Sequence, residues 1–163
     1  MMKKKNNPAV FPGSFDPFTI GHKALVEKGL DIFDRIIIAV GFNAEKKGGL
    51  LLVDNRVELI KTVFKDFDNV EVEKYDTLTV DFCREKNASF ILRGLRNIFD
   101  FNYEKSIAEI NKRLAPEIQT VFVFSEPEFD AVSSSVVREL FSYKKDVSSF
   151  LPKDIDLEYF INR

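Results

Sequence analysis

Short apolar runs alternate along this chain with longer stretches in which apolar residues recur every three or four positions. The first pattern reads as strand and the second as amphipathic helix. Ala9-Val10-Phe11 is the first strand, and residues 22–33 are the first helix, with Leu25, Val26, Leu30 and Phe33 on one stripe. Arg35 to Phe42 holds the run Ile36-Ile37-Ile38-Ala39-Val40. It does not alternate, which is typical of a parallel strand buried on both faces. Residues 43–52 read as a basic loop with two glycines, and Asp54 as the N-cap of a second helix that runs to about Lys65. Val57, Ile60, Val63 and Phe64 form its inner face. Val70 to Tyr75 alternates as a strand, residues 79–86 are a short helix, and Phe90-Ile91-Leu92 is a strand. A longer helix spans about 99–114 and stops before Pro116. Thr120 to Phe124 is the fifth strand, Ser133-Ser134-Ser135 opens a helix to about Tyr143, and residues 154–162 form a last helix.

Strands separated by helices, with connections long enough for crossovers, predict an α/β fold. The expected architecture is a doubly wound, five-stranded parallel sheet with helices on both faces. It forms a single domain over residues 1–163, since no repeat, low-complexity stretch or linker interrupts it. In such sheets ligands bind outside the carboxyl ends of the strands. Four clusters of polar residues follow strand ends here: Thr19 and His22, Lys46 and Lys47, Arg93 and Arg96, and Ser133–Ser135 with Arg138.

Composition narrows the partners. The net charge of -2 gives no general attraction to nucleic acid or membrane, so an anion site must be a local cluster. The single cysteine, Cys83, excludes an internal disulfide and indicates a reducing compartment. It shares a short helix with Val80, so core packing is the expected role. The lysines near the start precede only four apolar residues ending in Pro-Gly, too few for a signal peptide. No stretch approaches the length of a membrane span. The cytoplasm is the expected location. Seventeen phenylalanines without a tryptophan are read as core filling.

Thr19-Ile20-Gly21-His22 carries the clearest chemistry. It stands where the first strand gives way to the first helix, and His22 is the only histidine. Hydroxyl, imidazole and free helix N–H groups there can converge on an anion. The plain alternative is a capped turn, with Thr19 as N-cap and His22 an ordinary surface histidine. Arg93 and Arg96, three apart with Gly94 between, offer two fork-shaped donors to one anion. Ser133, Ser134 and Ser135 cap a helix and present hydroxyls and N–H groups, with Arg138 one turn inside. Lys46 and Lys47 lie beside Gly48-Gly49, in a loop able to bring a lysine to a substrate. Tyr103, Glu104 and Asn111 share a helix that can face a cleft. No nucleophile–base pair stands out. Donors and positive charge without an activated nucleophile indicate phosphoryl or nucleotidyl transfer by positioning and electrostatics. His22 is accordingly read as a donor to the transferring phosphate, not as a base.

The stretch from Phe11 to His22 resembles the opening of the (H/T)xGH nucleotidylyltransferases. Ile91-Leu92-Arg93-Gly94-Leu95-Arg96, Phe101-Asn102-Tyr103-Glu104, Ser133 to Arg138 and Phe150-Leu151-Pro152 look like the markers of the bacterial phosphopantetheine adenylyltransferases within that superfamily. The resemblance runs from about residue 8 to 152. It implies a Rossmann-like fold, use of ATP with Mg²⁺, and transfer of AMP to 4′-phosphopantetheine, with dephospho-coenzyme A and pyrophosphate as products. Direct in-line attack, without a covalent intermediate, is the expected route.

The resemblance also assigns roles. Thr19 and His22 match the triphosphate signature, with His22 stabilising the α-phosphorus. Lys46 matches a catalytic loop lysine, although Gly48-Gly49 leaves Lys46 against Lys47 open. Arg93 matches a catalytic arginine near both substrates' phosphates. Ser14 matches a hydroxyl that holds the attacking phosphate, and Leu78, Thr79 and Asn111 match the lining of the pantetheine arm. Phe15, Gly94, Arg96, Glu104, Ser133, Ser134, Ser135 and Arg138 match positions around ATP. Two residues depart from the family's habit: Phe11 replaces a frequent tyrosine, and Ser14 a frequent threonine. A homohexamer and inhibition by coenzyme A are further implications. The rivals are transfer to nicotinate mononucleotide, transfer from CTP to glycerol phosphate, and a nucleotide-sensing module without catalysis. A tRNA-synthetase fragment is disfavoured by the length and the absence of a basic face.

Overall fold

The structure, a computed structural model, describes residues 7–43 and 48–163. Five strands form one parallel sheet: β1 (Pro8–Gly13), β2 (Arg35–Gly41), β3 (Val70–Tyr75), β4 (Phe90–Leu95) and β5 (Gln119–Phe124). Their order is β3-β2-β1-β4-β5. The chain therefore winds outward from β1 in one direction, then returns past it and winds in the other. The helices are α1 (Ile20–Leu30), α2 (Val53–Val63), α3 (Thr79–Glu85), α4 (Ile98–Leu114), α5 (Ser134–Ser142) and α6 (Leu157–Ile161). This is the doubly wound, Rossmann-like architecture that the alternating pattern predicts.

The unbroken apolar run of β2 is explained by two cores. Ile36, Ile38 and Val40 face one side, where Val26 of α1, Leu59 and Ile60 of α2, Val137 of α5 and Phe160 of α6 pack. Ile37 and Ala39 face the other, against Val80, Phe82 and Cys83 of α3. Each large apolar side chain fully removed from water there stabilises the fold by about 1.5–3 kcal/mol. The smaller Cys83 is also fully buried there, as expected, and burial pushes its thiol up to about 12.

Several boundaries differ from expectation. Leu52, not Asp54, is the N-cap of α2, and it makes no side-chain cap. Asp54 lies within the first turn, where an acid suits the helix dipole, and takes a bond from Lys74 Nζ (2.6 Å). α1 starts two residues earlier than the pattern suggests and ends at Leu30, because Asp31 caps it. α6 is short, with Asp156 as its cap. Two 3₁₀ turns, Pro127–Phe129 and Ser148–Phe150, carry no periodic signal in the sequence. The consequential change is in β4. It continues to Leu95, so Arg93 and Gly94 lie inside the strand, paired with Phe122 and Val123 of β5.

That extension positions the site. β1 pairs with β2 over its whole length, and β4 with β5 likewise. Between β1 and β4 only Ala9–Phe90 and Val10–Ile91 pair. Beyond them the two strands have separate partners, and the sheet splits at its carboxyl edge. The split lies where the winding reverses, the place where such sheets take ligands.

Candidate active site

Two clefts meet at this split. One, of about 360 Å³, runs over the carboxyl ends of β1 and β4 to the start of α5. The other, of about 340 Å³, lies between β1, α4 and the Tyr75–Thr79 segment. Pro12, Gly13, Ser14, Arg93 and Glu104 line both and form the wall between them.

The turn after β1 is built from its own sequence. Phe15 adopts φ 50°, in the left-handed region, and its ring turns back over Gly13. A Cβ at Gly13 would lie 2.7 Å from that ring, so only glycine fits. Thr19 caps α1 in a reciprocal box with His22. The Thr19 N–H donates to His22 Nδ1 (2.9 Å), and the His22 N–H donates weakly to Thr19 Oγ1 (3.4 Å). The capped-turn reading and the functional reading therefore describe one arrangement. Because Nδ1 accepts, it carries no proton, and the neutral ring keeps its hydrogen on Nε2. His22 lines the first cleft, so Nε2–H is the donor it offers there. Phe15 and Phe18 pack against the imidazole, each with ring centroid 5.2 Å away. Burial, followed by the nearby Arg96 and Arg93 charges, lowers its pKa from 6.5 to about 4. At neutral pH His22 is an uncharged, oriented donor.

Arg93 reaches across the split. Its Nη1 donates to the Pro12 carbonyl of β1 (2.6 Å), while Nε and Nη2 grip both carboxylate oxygens of Glu104, with Nε–Oε2 at 2.7 Å. Glu104 is the one buried residue of α4. Arg96 is held by Asp100 through its backbone N–H (3.1 Å) and its guanidinium (Nε, 3.0 Å). Burial raises the Asp100 pKa, but the bonds and charge of Arg96 outweigh it and hold the carboxyl below its usual range.

On the far wall, Ser133 Oγ accepts from the Val136 N–H (3.2 Å) and caps α5. Ser134 Oγ donates to the Pro17 carbonyl (2.8 Å). Arg138 donates to the Asp16 carbonyl (2.6 Å) and to Ser135 Oγ (3.1 Å). The start of α5 is thus fastened to the β1–α1 turn.

Among the sequence candidates, Ser14, Phe15, Thr19, His22, Arg93, Gly94, Arg96, Glu104, Ser133, Ser134, Ser135 and Arg138 all line the first cleft. Thr79 and Asn111 line the second, with Ile107 and Ala108 on the same face of α4 as Glu104. Tyr103 is on another face, 67% exposed. The Leu78 side chain is 59% exposed and lines neither cleft; Leu78 stands just before α3 as its N-cap. Lys46 and Lys47 lie outside the described residues. Sequence reasoning passed over Asp100, which holds Arg96, and Tyr75, whose hydroxyl pairs with Thr79 Oγ1 (2.9 Å) in the second cleft. Tyr75 ends a strand, so the strand-end rule could have found it.

Fold and cleft define a nucleotidyltransferase, and a model of the cytidylyltransferase-like family matches residues 10–140. The chain is 48% identical over 149 residues to the phosphopantetheine adenylyltransferase of Bacteroides fragilis, spanning 91% of this chain and 98% of that one. The namesake from Bacteroides thetaiotaomicron is 47% identical over 91% and 97%, and that from Clostridium perfringens 41% over 91% and 92%. The chain belongs to the phosphopantetheine adenylyltransferase family. Among solved structures, a bifunctional NMN adenylyltransferase/ADP ribose pyrophosphatase from Francisella tularensis, complexed with AMP and a manganese ion, superposes with a TM-score of 0.72. It is 18% identical, and the match covers 98% of this chain and about half of that longer one, a likeness of fold.

Proposed function

We propose that this enzyme transfers the adenylyl group of ATP to 4′-phosphopantetheine, giving dephospho-coenzyme A and pyrophosphate. The observation that carries the proposal is the shared wall: two clefts, one polar and lined by donors, one flanked by α4, meet at Ser14 and Arg93. ATP occupies the first cleft, with its phosphates toward His22 and the start of α5. The pantetheine arm occupies the second, along Thr79 and Asn111. The acceptor's phosphate then meets the α-phosphorus at the wall.

A phosphate monoester with a second pKa near 6 is largely dianionic at neutral pH and needs no base. Its oxygen bonds to the α-phosphorus as the bond to the bridging α–β oxygen breaks, and pyrophosphate leaves. The His22 ring in the first cleft has Nδ1 engaged by the Thr19 N–H and its proton on Nε2, so it offers a donor and not a nucleophilic nitrogen. Positioned donors supply the stabilisation: Nε2–H of His22, the guanidinium of Arg93 and the N–H groups opening α5. The described residues do not build a protein-held Mg²⁺ site, since Asp100 and Glu104 are both engaged by arginines and no cluster of metal-binding side chains occurs among them. Mg²⁺ is proposed to enter with the nucleotide's phosphates, and no step above depends on it.

The test measures pyrophosphate release from ATP and Mg²⁺ with 4′-phosphopantetheine, with nicotinate mononucleotide, and from CTP with glycerol phosphate. Turnover with the first acceptor alone is expected. Turnover with another, or ATP binding without turnover, overturns the reading. Coenzyme A carries both an adenosine and a pantetheine arm, so it is proposed as a competitive inhibitor filling both clefts. A homohexamer and a cytoplasmic location complete the proposal. No helix among the described residues is long and apolar enough to cross a membrane.

A further inference from the structure

A buried ion pair lies behind the shared wall and touches neither cleft. Asp16, 5% exposed, follows Ser14 and Phe15 in the β1–α1 turn. Its Oδ2 accepts from the Leu50 N–H and its Oδ1 from the Leu51 N–H, both at 2.8 Å. Arg56 of α2, 9% exposed, sets Nε 3.5 Å from Asp16 Oδ1. The same Nε donates to the Leu51 carbonyl (2.9 Å), and Nη1 donates to the Ser14 carbonyl (3.2 Å). Gly49 passes over the pair at φ 135°. A Cβ there would meet Arg56 Nη2 at 2.5 Å and Asp16 Oδ2 at 2.7 Å. Two segments more than thirty residues apart are thereby fixed to each other through main-chain groups.

A pair kept only to hold the fold could brace any two elements. This one braces the backbone of Ser14, a residue that lines both clefts. We infer that Asp16 and Arg56 are positioning residues for the transfer, setting the wall at which acceptor and nucleotide align. The inference rests on the proposed reaction. The remaining supports of the nucleotide cleft do not use the Asp16 carboxylate: the Thr19–His22 box, Ser134 on Pro17, and Arg138 on the Asp16 main-chain carbonyl. Loosening the pair should therefore disturb alignment more than nucleotide affinity. A misplacement of about 1 Å costs up to ~10² in rate.

The test compares Asp16→Asn, Arg56→Lys and Gly49→Ala with the unaltered enzyme, measuring kcat, KM for ATP and thermal unfolding. Gly49→Ala keeps both charges and acts by crowding them and by straining the main chain that crosses them at φ 135°. In variants folded at the assay temperature, kcat should fall roughly 10- to 100-fold while KM for ATP stays within about threefold. The double variant Asp16→Asn/Arg56→Lys should lose no more than the worse single one, because the pair acts as a unit. Full kcat in any folded variant, or a loss accounted for by the unfolded fraction, overturns the inference. If Asp16→Asn does not fold, Arg56→Lys and Gly49→Ala decide by the same criteria. An unaltered enzyme inactive on 4′-phosphopantetheine sinks the proposed reaction, whereas an active one with unimpaired variants sinks only the positioning role.

Discussion

His22 is bound at Nδ1 by the backbone of Thr19 and packed among phenylalanines, and burial followed by the nearby Arg96 and Arg93 charges sets its behaviour with pH. Its pKa is lowered to about 4, against 6.5 for the free side chain. The native ring stays neutral where the unfolded ring takes a proton. Stability linked to His22 is therefore complete above pH 6.5 and declines as pH falls from 6.5 toward 4. As the only histidine, it can be followed by NMR. Its ring resonances should titrate near 4 in the free enzyme, and a midpoint near 6.5 would contradict the buried, arginine-flanked setting. Removing the Nε2–H donor by His22→Ala should lower kcat by ~10²–10³ with the fold retained. Steady-state kinetics beside a thermal melt check this, and near-normal turnover would remove His22 from the transfer step. Glu104 is the other decisive residue at this scale. Truncating Glu104 leaves the half-buried Arg93 guanidinium without its carboxylate, which costs less than the ~3–5 kcal/mol typical of a fully buried pair because Arg93 borders both clefts. Glu104→Ala should accordingly lower the melting temperature and free Arg93 from its bidentate grip, with kcat falling alongside. An unchanged melt would show that Arg93 finds equivalent partners.

The strands and helices show what the sequence makes legible and what it hides. β2 was legible because a strand buried on both faces must be apolar without interruption, and Ile36 to Val40 is. Ile38→Ala should thus cost about 2–5 kcal/mol, measurable by denaturant unfolding, since Ile38 is fully buried in the core between sheet and helices. The strand-end rule likewise located Thr19, His22, Arg96 and the α5 serines. The apolar pattern ends β4 too early, because Arg93-Gly94 looks like the end of an apolar run. Its pairing with Phe122 and Val123 is a contact between segments about thirty residues apart, invisible to local pattern. The same holds for Asp16 with Arg56, whose bond depends on how α2 docks, and for Arg93 with Glu104. Glu104 and Tyr103 are adjacent in sequence, and only the phase of α4 on the sheet decides that the first is buried and the second exposed.

At the scale of the whole molecule, both sides of the sheet carry a buried core, but the outward surface of α4 is left apolar and exposed. Of the seventeen residues of α4, only Glu104 is buried. Ile98, Tyr103, Ile110 and Leu114 are exposed, and Phe99 is 81% so. The outer strand β5, beside it, has no fully buried residue. Monomers seldom leave apolar side chains gathered on one element in this way. Charge does not oppose association, since the net value is only -2. Copies of the chain covering this face would account for the proposed hexamer, and α4 also contributes Glu104 to both clefts. Association would then stiffen the helix that holds Glu104 against Arg93, linking assembly to the site. Light scattering should give a mass several times the 18.8 kDa of one chain. Phe99→Glu, which places a charge at the most exposed aromatic position, should reduce that mass and lower kcat together. A monomeric mass for the unaltered enzyme would remove the proposed hexamer. Full activity in a dissociated Phe99→Glu variant would separate assembly from catalysis, leaving the Arg93–Glu104 grip to hold α4 unaided.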